Sequence, residues 1–60
     1  MKLTKGNVVM YKGQQMTVMK YYVEDNVEYV DLQHGWKEKF YKIPAEDVYF
    51  VAKKRSKYLN

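Results

Sequence analysis

Residues 16 to 33 constrain the fold more than any other stretch. Met16–Val30 holds four valines, three tyrosines and one threonine. All of these pack better on a pleated strand than against the preceding turn of a helix, so the helical alternative fails on propensity. Asp25-Asn26 lies inside the stretch. Both residues tolerate left-handed backbone better than most, and the pair suits a two-residue hairpin turn. The pattern predicts a long strand from Met16 to Glu24, a turn, and a return strand from Val27 to Gln33. In the return strand Glu28, Val30 and Leu32 alternate with Val27, Tyr29 and Asp31, and Val30 and Leu32 are assigned to the core. The outgoing strand alternates less cleanly. Met16, Val18 and Tyr22 share one face, while Thr17, Met19, Tyr21 and Val23 share the other. Apolar groups on both faces suit a bent strand buried on different sides at its two ends, and a β-bulge near Lys20 produces such a bend.

Turn residues divide the rest of the chain at short intervals. Lys5-Gly6-Asn7 leads into a strand at Val8–Tyr11, and Lys12-Gly13-Gln14-Gln15 is a turn. His34-Gly35 ends the return strand, with His34 read as a turn residue. Trp36-Lys37-Glu38 crosses to a fourth strand at Lys39–Ile43. Pro44-Ala45-Glu46-Asp47 makes a single tight turn, because proline fixes φ at its start. Val48–Ala52 is the fifth strand, and 53–60 is a basic tail that frays. A hydrophobic fraction of 47% and an aromatic fraction of 17% exclude a disordered chain. With 60 residues there is room for one domain, and a single core of that size supplies only about 3–5 kcal/mol. Pairing with a second copy would bury more apolar area, so a homodimer is expected on area grounds.

Five short strands, one long and bent, with a one-turn 3-10 segment before the last, describe a small and strongly curved barrel. The pattern resembles the SH3-like barrel, an all-β, five-stranded fold. It looks most like short bacterial and phage proteins that open with Lys-Gly-Asp-Val-Val and continue with a Met-Thr-Val strand. The matching residues are Lys5-Gly6-Asn7-Val8-Val9 and Met16-Thr17-Val18, and the likeness covers residues 5–52, the expected barrel within a single domain of 1–60. A second likeness runs over Ile43–Val51, which is similar to the closing segment of the plasmid-borne type II dihydrofolate reductases, also SH3-like barrels. In that family a Val-Gln-Ile-Tyr strand before the proline lines a pore for folate and NADPH. Phe40, Tyr41, Lys42 and Ile43 stand at those positions and all four differ. The resemblance therefore implies the fold, with Val48 and Val51 as the inward pair of the last strand, but not the reductase activity.

The residues argue against an enzyme. The chain has one histidine, His34, and no cysteine. A nucleophile, base and orienter therefore have little to be built from, and no disulfide, thiolate zinc site or multi-histidine metal site is available. Glu24-Asp25 and Glu46-Asp47 fall at turns, where carboxylates commonly cap backbone amides. There is no glycine-rich phosphate loop. No cofactor and no metal are expected. No apolar run approaches the roughly 20 residues that span a bilayer, and the first residues lack the apolar segment of a secretory signal. The expected location is the cytoplasm, with no membrane partner.

Charge placement carries the functional reading. The formal net charge is +4. Residues 1–20 carry four lysines and no acid, residues 21–36 four acids and no lysine or arginine, and residues 37–60 seven bases and three acids. The sequence thus predicts an acidic hairpin projecting from a basic body, a dipolar surface of the kind that steers partners. The first functional reading is a nucleic-acid-binding module, with lysines on phosphates and tyrosines stacking on bases. Its candidates are Lys12, Lys20, Lys37, Lys39, Tyr41, Tyr49, Lys53, Lys54 and Arg55. Solvated lysines and tyrosines half-buried across strand pairs are the plainer explanation of the same residues. The second reading is a protein-interaction module, such as a phage or mobile-element regulator or inhibitor. It would dock through the acidic hairpin, with Tyr22, Glu24, Asp25, Glu28, Tyr29 and Trp36 as its contact residues. A structural homo-oligomer is the third. Trp36, beside Gly35, is either a lid on the barrel end or a contact anchor, and the lid is the preferred reading.

Overall fold

The structure is a computed structural model that describes residues 3–54. Arg55 and the remainder of the basic tail lie outside the described residues. The strands are β1 (Val8–Tyr11), β2 (Gln14–Glu24), β3 (Val27–His34), β4 (Glu38–Pro44) and β5 (Tyr49–Ala52), with a 3-10 turn at Ala45–Asp47. They form one five-stranded antiparallel sheet in the order β4-β3-β2-β1-β5. The all-β architecture and the single 3-10 turn are those the sequence predicts. The ladder itself is open: β4 and β5 are its edges, and no pairing joins them among the described residues. The expected closed barrel is to that extent corrected.

The hairpin turn at Asp25-Asn26 forms as its residue types suggest, with φ of 52° and 65°. Two-residue turns with φ positive at both centres follow the natural twist of the strands they join. His34, read as a turn residue, is instead the last residue of β3.

The bulge near Lys20 is present, and it decides which side chains reach the core. The β2–β3 register pairs Val18 with Leu32 and Lys20 with Asp31, leaving Met19 as an extra residue. An inserted residue inverts the facing of everything beyond it, because strand side chains alternate with period two. Met16 and Val18 are therefore buried, whereas beyond the bulge Tyr21, from the other face of the sequence pattern, packs against the core, as a strand buried on different sides at its two ends requires. The core cluster is Leu3, Val9, Met16, Val18, Val30, Leu32 and Val48, flanked by Tyr11, Tyr21, Phe40 and Ile43. Val30 and Leu32 are fully buried, as expected. Val48 is buried, but Val51 is 44% exposed and is not its inward partner. Alternation explains this, since position 51 lies an odd number of residues from the inward Val48; the β1–β5 register, with Val8 on Ala52 and Val9 on Phe50, also leaves Val51 as an extra residue on β5.

Asn7 is the buried polar residue among those described. A buried amide has to be satisfied, and this one is. Its Oδ1 accepts from the Thr4 N–H at 2.9 Å, and its Nδ2 donates to the Lys53 carbonyl at 2.8 Å. Its own carbonyl accepts from the Val18 N–H at 2.8 Å. One residue thus ties three segments together: its side chain joins the entering segment to the exit of β5, and its main chain joins both to the middle of β2.

Candidate functional site

Tyr21, Val30, Leu32 and Phe40 face the core. Their neighbours Lys20, Tyr22, Tyr29, Asp31, Gln33 and Lys39 therefore face outward, by strand alternation. Tyr22 and Tyr29 are directly opposed across β2 and β3. Their ring centroids lie 5.9 Å apart with the planes inclined at 32°. Lys20 Nζ sits 5.3 Å from the Tyr22 centroid, and Lys42 Nζ 5.3 Å from that of Tyr29. Both distances are within cation–π range. The row Lys20–Tyr22–Tyr29–Lys42 thus crosses the outer face, a stacked aromatic pair with an ammonium at each end.

A second bulge sets the far end of that row. Val30 pairs with Ile43 and Leu32 with Phe40, so Asp31 faces both Tyr41 and Lys42. Lys42 takes a left-handed backbone, φ 55°, a conformation that is uncommon for a residue other than glycine. Asp31 holds it there: one carboxylate oxygen, Oδ1, accepts from the Lys42 N–H at 2.9 Å and from the Tyr22 hydroxyl at 3.0 Å. Lys42 Nζ in turn lies 3.2 Å from Glu24 Oε1. Tyr41 is left 63% exposed beside the row.

These contacts perturb the titration of three groups. Desolvation pushes the Tyr22 hydroxyl above its ordinary value, and donation to Asp31 pushes it further. Desolvation followed by the nearby charge of Glu28, which also bonds to the hydroxyl, raises Tyr21. The hydrogen bond and charge of Glu24 raise Lys42. All three folded values are raised above the unfolded ones. The stability these groups contribute is complete below about pH 10 and is lost as pH rises through the folded values. Absorbance titration at 295 nm should lose a late-ionising component when Tyr21 or Tyr22 is replaced by Phe, and the unfolding midpoint of the parent should fall above pH 10. A titration curve whose late part is unchanged by both substitutions would contradict the Asp31 and Glu28 contacts.

The acidic hairpin does not stand apart from the lysines, as its run in the sequence suggested. Glu24 is paired with Lys42, Asp31 is opposite Lys20, and Glu28 bonds to Tyr21. The cause is antiparallel pairing, which places the acids of β2 and β3 beside lysines of β2 and β4 that are distant in sequence.

The nucleic-acid candidates fall into three places. Lys20, Lys39 and Tyr41 share the outer face of β2–β4 with Tyr22 and Tyr29. Lys12 and Lys37 lie on the β1–β2 and β3–β4 turns, which meet at one end of the sheet around a depression lined by Gln14, Thr17, Gln33 and Gly35. Trp36 is 86% exposed there, so the lid reading is corrected: its ring covers nothing. His34 Nδ1 approaches Glu38 Oε1 at 2.8 Å in the same region. Tyr49, Lys53 and Lys54 are on β5 and its exit, separated from β2 by β1. Asp25 is exposed at the hairpin tip. Lys42, which sequence reasoning left out of the site, owes its place to a bulge that no local motif announces.

Among the described residues no group of three or more His, Asp or Glu side chains could hold a metal ion, and no helix is long and apolar enough to cross a membrane. Compared with known proteins, the chain matches no family model, no curated protein and no solved structure.

Proposed function

We propose that the chain is a non-enzymatic binding module of the SH3-like type that takes single-stranded nucleic acid across the outer face of β2, β3 and β4. The observation that carries this reading is the Lys20–Tyr22–Tyr29–Lys42 row with Tyr41 exposed beside it. Aromatic platforms stack on any base, and flanking lysines follow the phosphates. The strand order and the 3-10 turn before β5 are compatible with an SH3-like fold, although fold alone assigns no activity. Docking of a protein through the acidic hairpin is less favoured, since its acids are interleaved with lysines rather than set apart as a patch.

Fluorescence anisotropy of a labelled single-stranded oligonucleotide tests the proposal. Binding at low salt should weaken as salt rises, with a log–log slope of roughly −2 to −3 for three or four phosphate contacts. Tyr41→Ala removes an exposed ring that supports nothing else, and should weaken binding about five- to hundredfold. An oligonucleotide that gives no change at low salt with about a hundred micromolar protein sinks the reading. Binding that is indifferent to both Tyr41→Ala and Lys20→Ala/Lys39→Ala does so as well.

A further inference from the structure

Edge strand β5 displays three consecutive large apolar side chains. Tyr49, Phe50 and Val51 are 74%, 42% and 44% exposed. The ladder partner of β5 among the described residues is β1, so its other side presents unpaired backbone groups. Such edges are templates for another strand. The flanks indicate which strand. Glu46 and Asp47 are exposed before β5, and Lys53 and Lys54 are exposed after it. Among the described residues, none of these four side chains has a hydrogen-bond or ion-pair partner. The order acid-acid, apolar strand, base-base is its own complement when reversed.

We propose that β5 docks a second copy of this chain, antiparallel to itself about a two-fold axis at Phe50. That register sets Asp47 against the partner's Lys53 and Glu46 against the partner's Lys54, and the symmetry repeats both pairs. A parallel arrangement sets acid against acid. A polyanion meets Glu46 and Asp47 at one end of the strand, so it is a poorer occupant. The apolar side chains supply the affinity and the charges fix the register, since exposed ion pairs add little strength but penalise wrong alignments. The strand has four residues and a register shift at Val51. The ladder is therefore short and the dimer weak, below the roughly 1,200 Å² of a standard stable interface. This inference does not depend on the nucleic-acid reading, which uses a different part of the sheet.

Sedimentation equilibrium of the full chain tests it. The mean mass should rise toward that of a dimer over roughly tens to hundreds of micromolar. Two charge variants make the test specific: E46K/D47K, with bases at both ends of β5, and K53E/K54E, with acids at both ends. Each alone should associate at least about tenfold more weakly than the parent, and an equimolar mixture should recover dimer. The chain has no cysteine, so Phe50→Cys should cross-link on oxidation faster than Tyr49→Cys or Val51→Cys. A parent that stays monomeric throughout, a mixture that does not pair, or equal cross-linking at the three positions overturns the proposal. The oligonucleotide titration stands or falls separately.

Discussion

Leu32→Ala should leave a large fraction of the chain unfolded at 25 °C. Leu32 is fully buried, paired with Val18 on one side and Phe40 on the other, and so sits where β2, β3 and β4 share one layer of core. Truncating a buried leucine costs about 2–5 kcal/mol, as lost transfer energy plus the cavity left behind. A single core of this size supplies only about 3–5 kcal/mol, so the two quantities nearly cancel. Circular dichroism and urea titration measure the outcome. Leu32→Met, which nearly conserves volume, should stay folded at a cost under about 1.5 kcal/mol. Val51→Ala provides the contrast. The resemblance to the reductase segment would put Val51 in the core, yet it is exposed, and its truncation should change stability by no more than about 0.5 kcal/mol. A Leu32→Ala chain with the parent's urea midpoint would contradict the assigned core.

Asp31→Ala should be the most damaging change on the outer face. The carboxylate satisfies the Lys42 N–H at a left-handed position and anchors the Tyr22 hydroxyl. Hydrogen bonds to a charged group are worth about 1.5–3 kcal/mol each when shielded. The Tyr22 bond is only part-shielded and the Lys42 bond is exposed to solvent, so about 1–2 kcal/mol for the pair is the reasonable scale. Asp31→Asn keeps an acceptor and loses the charge, so it should cost about 1 kcal/mol. Tyr22→Phe removes one of the two bonds and should cost less still. The ranking Asp31→Ala, Asp31→Asn, Tyr22→Phe in urea midpoints checks the geometry. A Tyr22→Phe chain as unstable as Asp31→Ala would mean that the Lys42 N–H contact contributes nothing.

Much of the fold was legible because its signals are local. Asp25-Asn26 carries its turn preference in two side chains, and Val30 and Leu32 fall on a clean period of two. The irregular alternation of β2 even located its bulge. Its two apolar faces also carried the change of facing across that bulge, with Met16 and Val18 inward before it and Tyr21 inward after it. Val51 was placed inward by the resemblance, against an alternation that turns it away from the face of Val48. The site was legible in parts. Lys20, Lys39 and Tyr41 were named together, but the tyrosine pair they accompany was assigned to a different surface. Lys42 joined it only through a bulge opposite Asp31. Charges separated along the chain became interleaved in space, because register rather than proximity in sequence decides which side chains meet. The exposure of Trp36 had no sequence signal beyond its neighbouring glycine.

Asn7 gives the open sheet something its ladder lacks. Thr4 and Lys53 are held by opposite ends of a single carboxamide, so loosening either segment leaves a buried donor or acceptor unanswered on the other. Fraying at the two extremities is thereby coupled. The first and last described segments therefore come apart together rather than peeling one at a time.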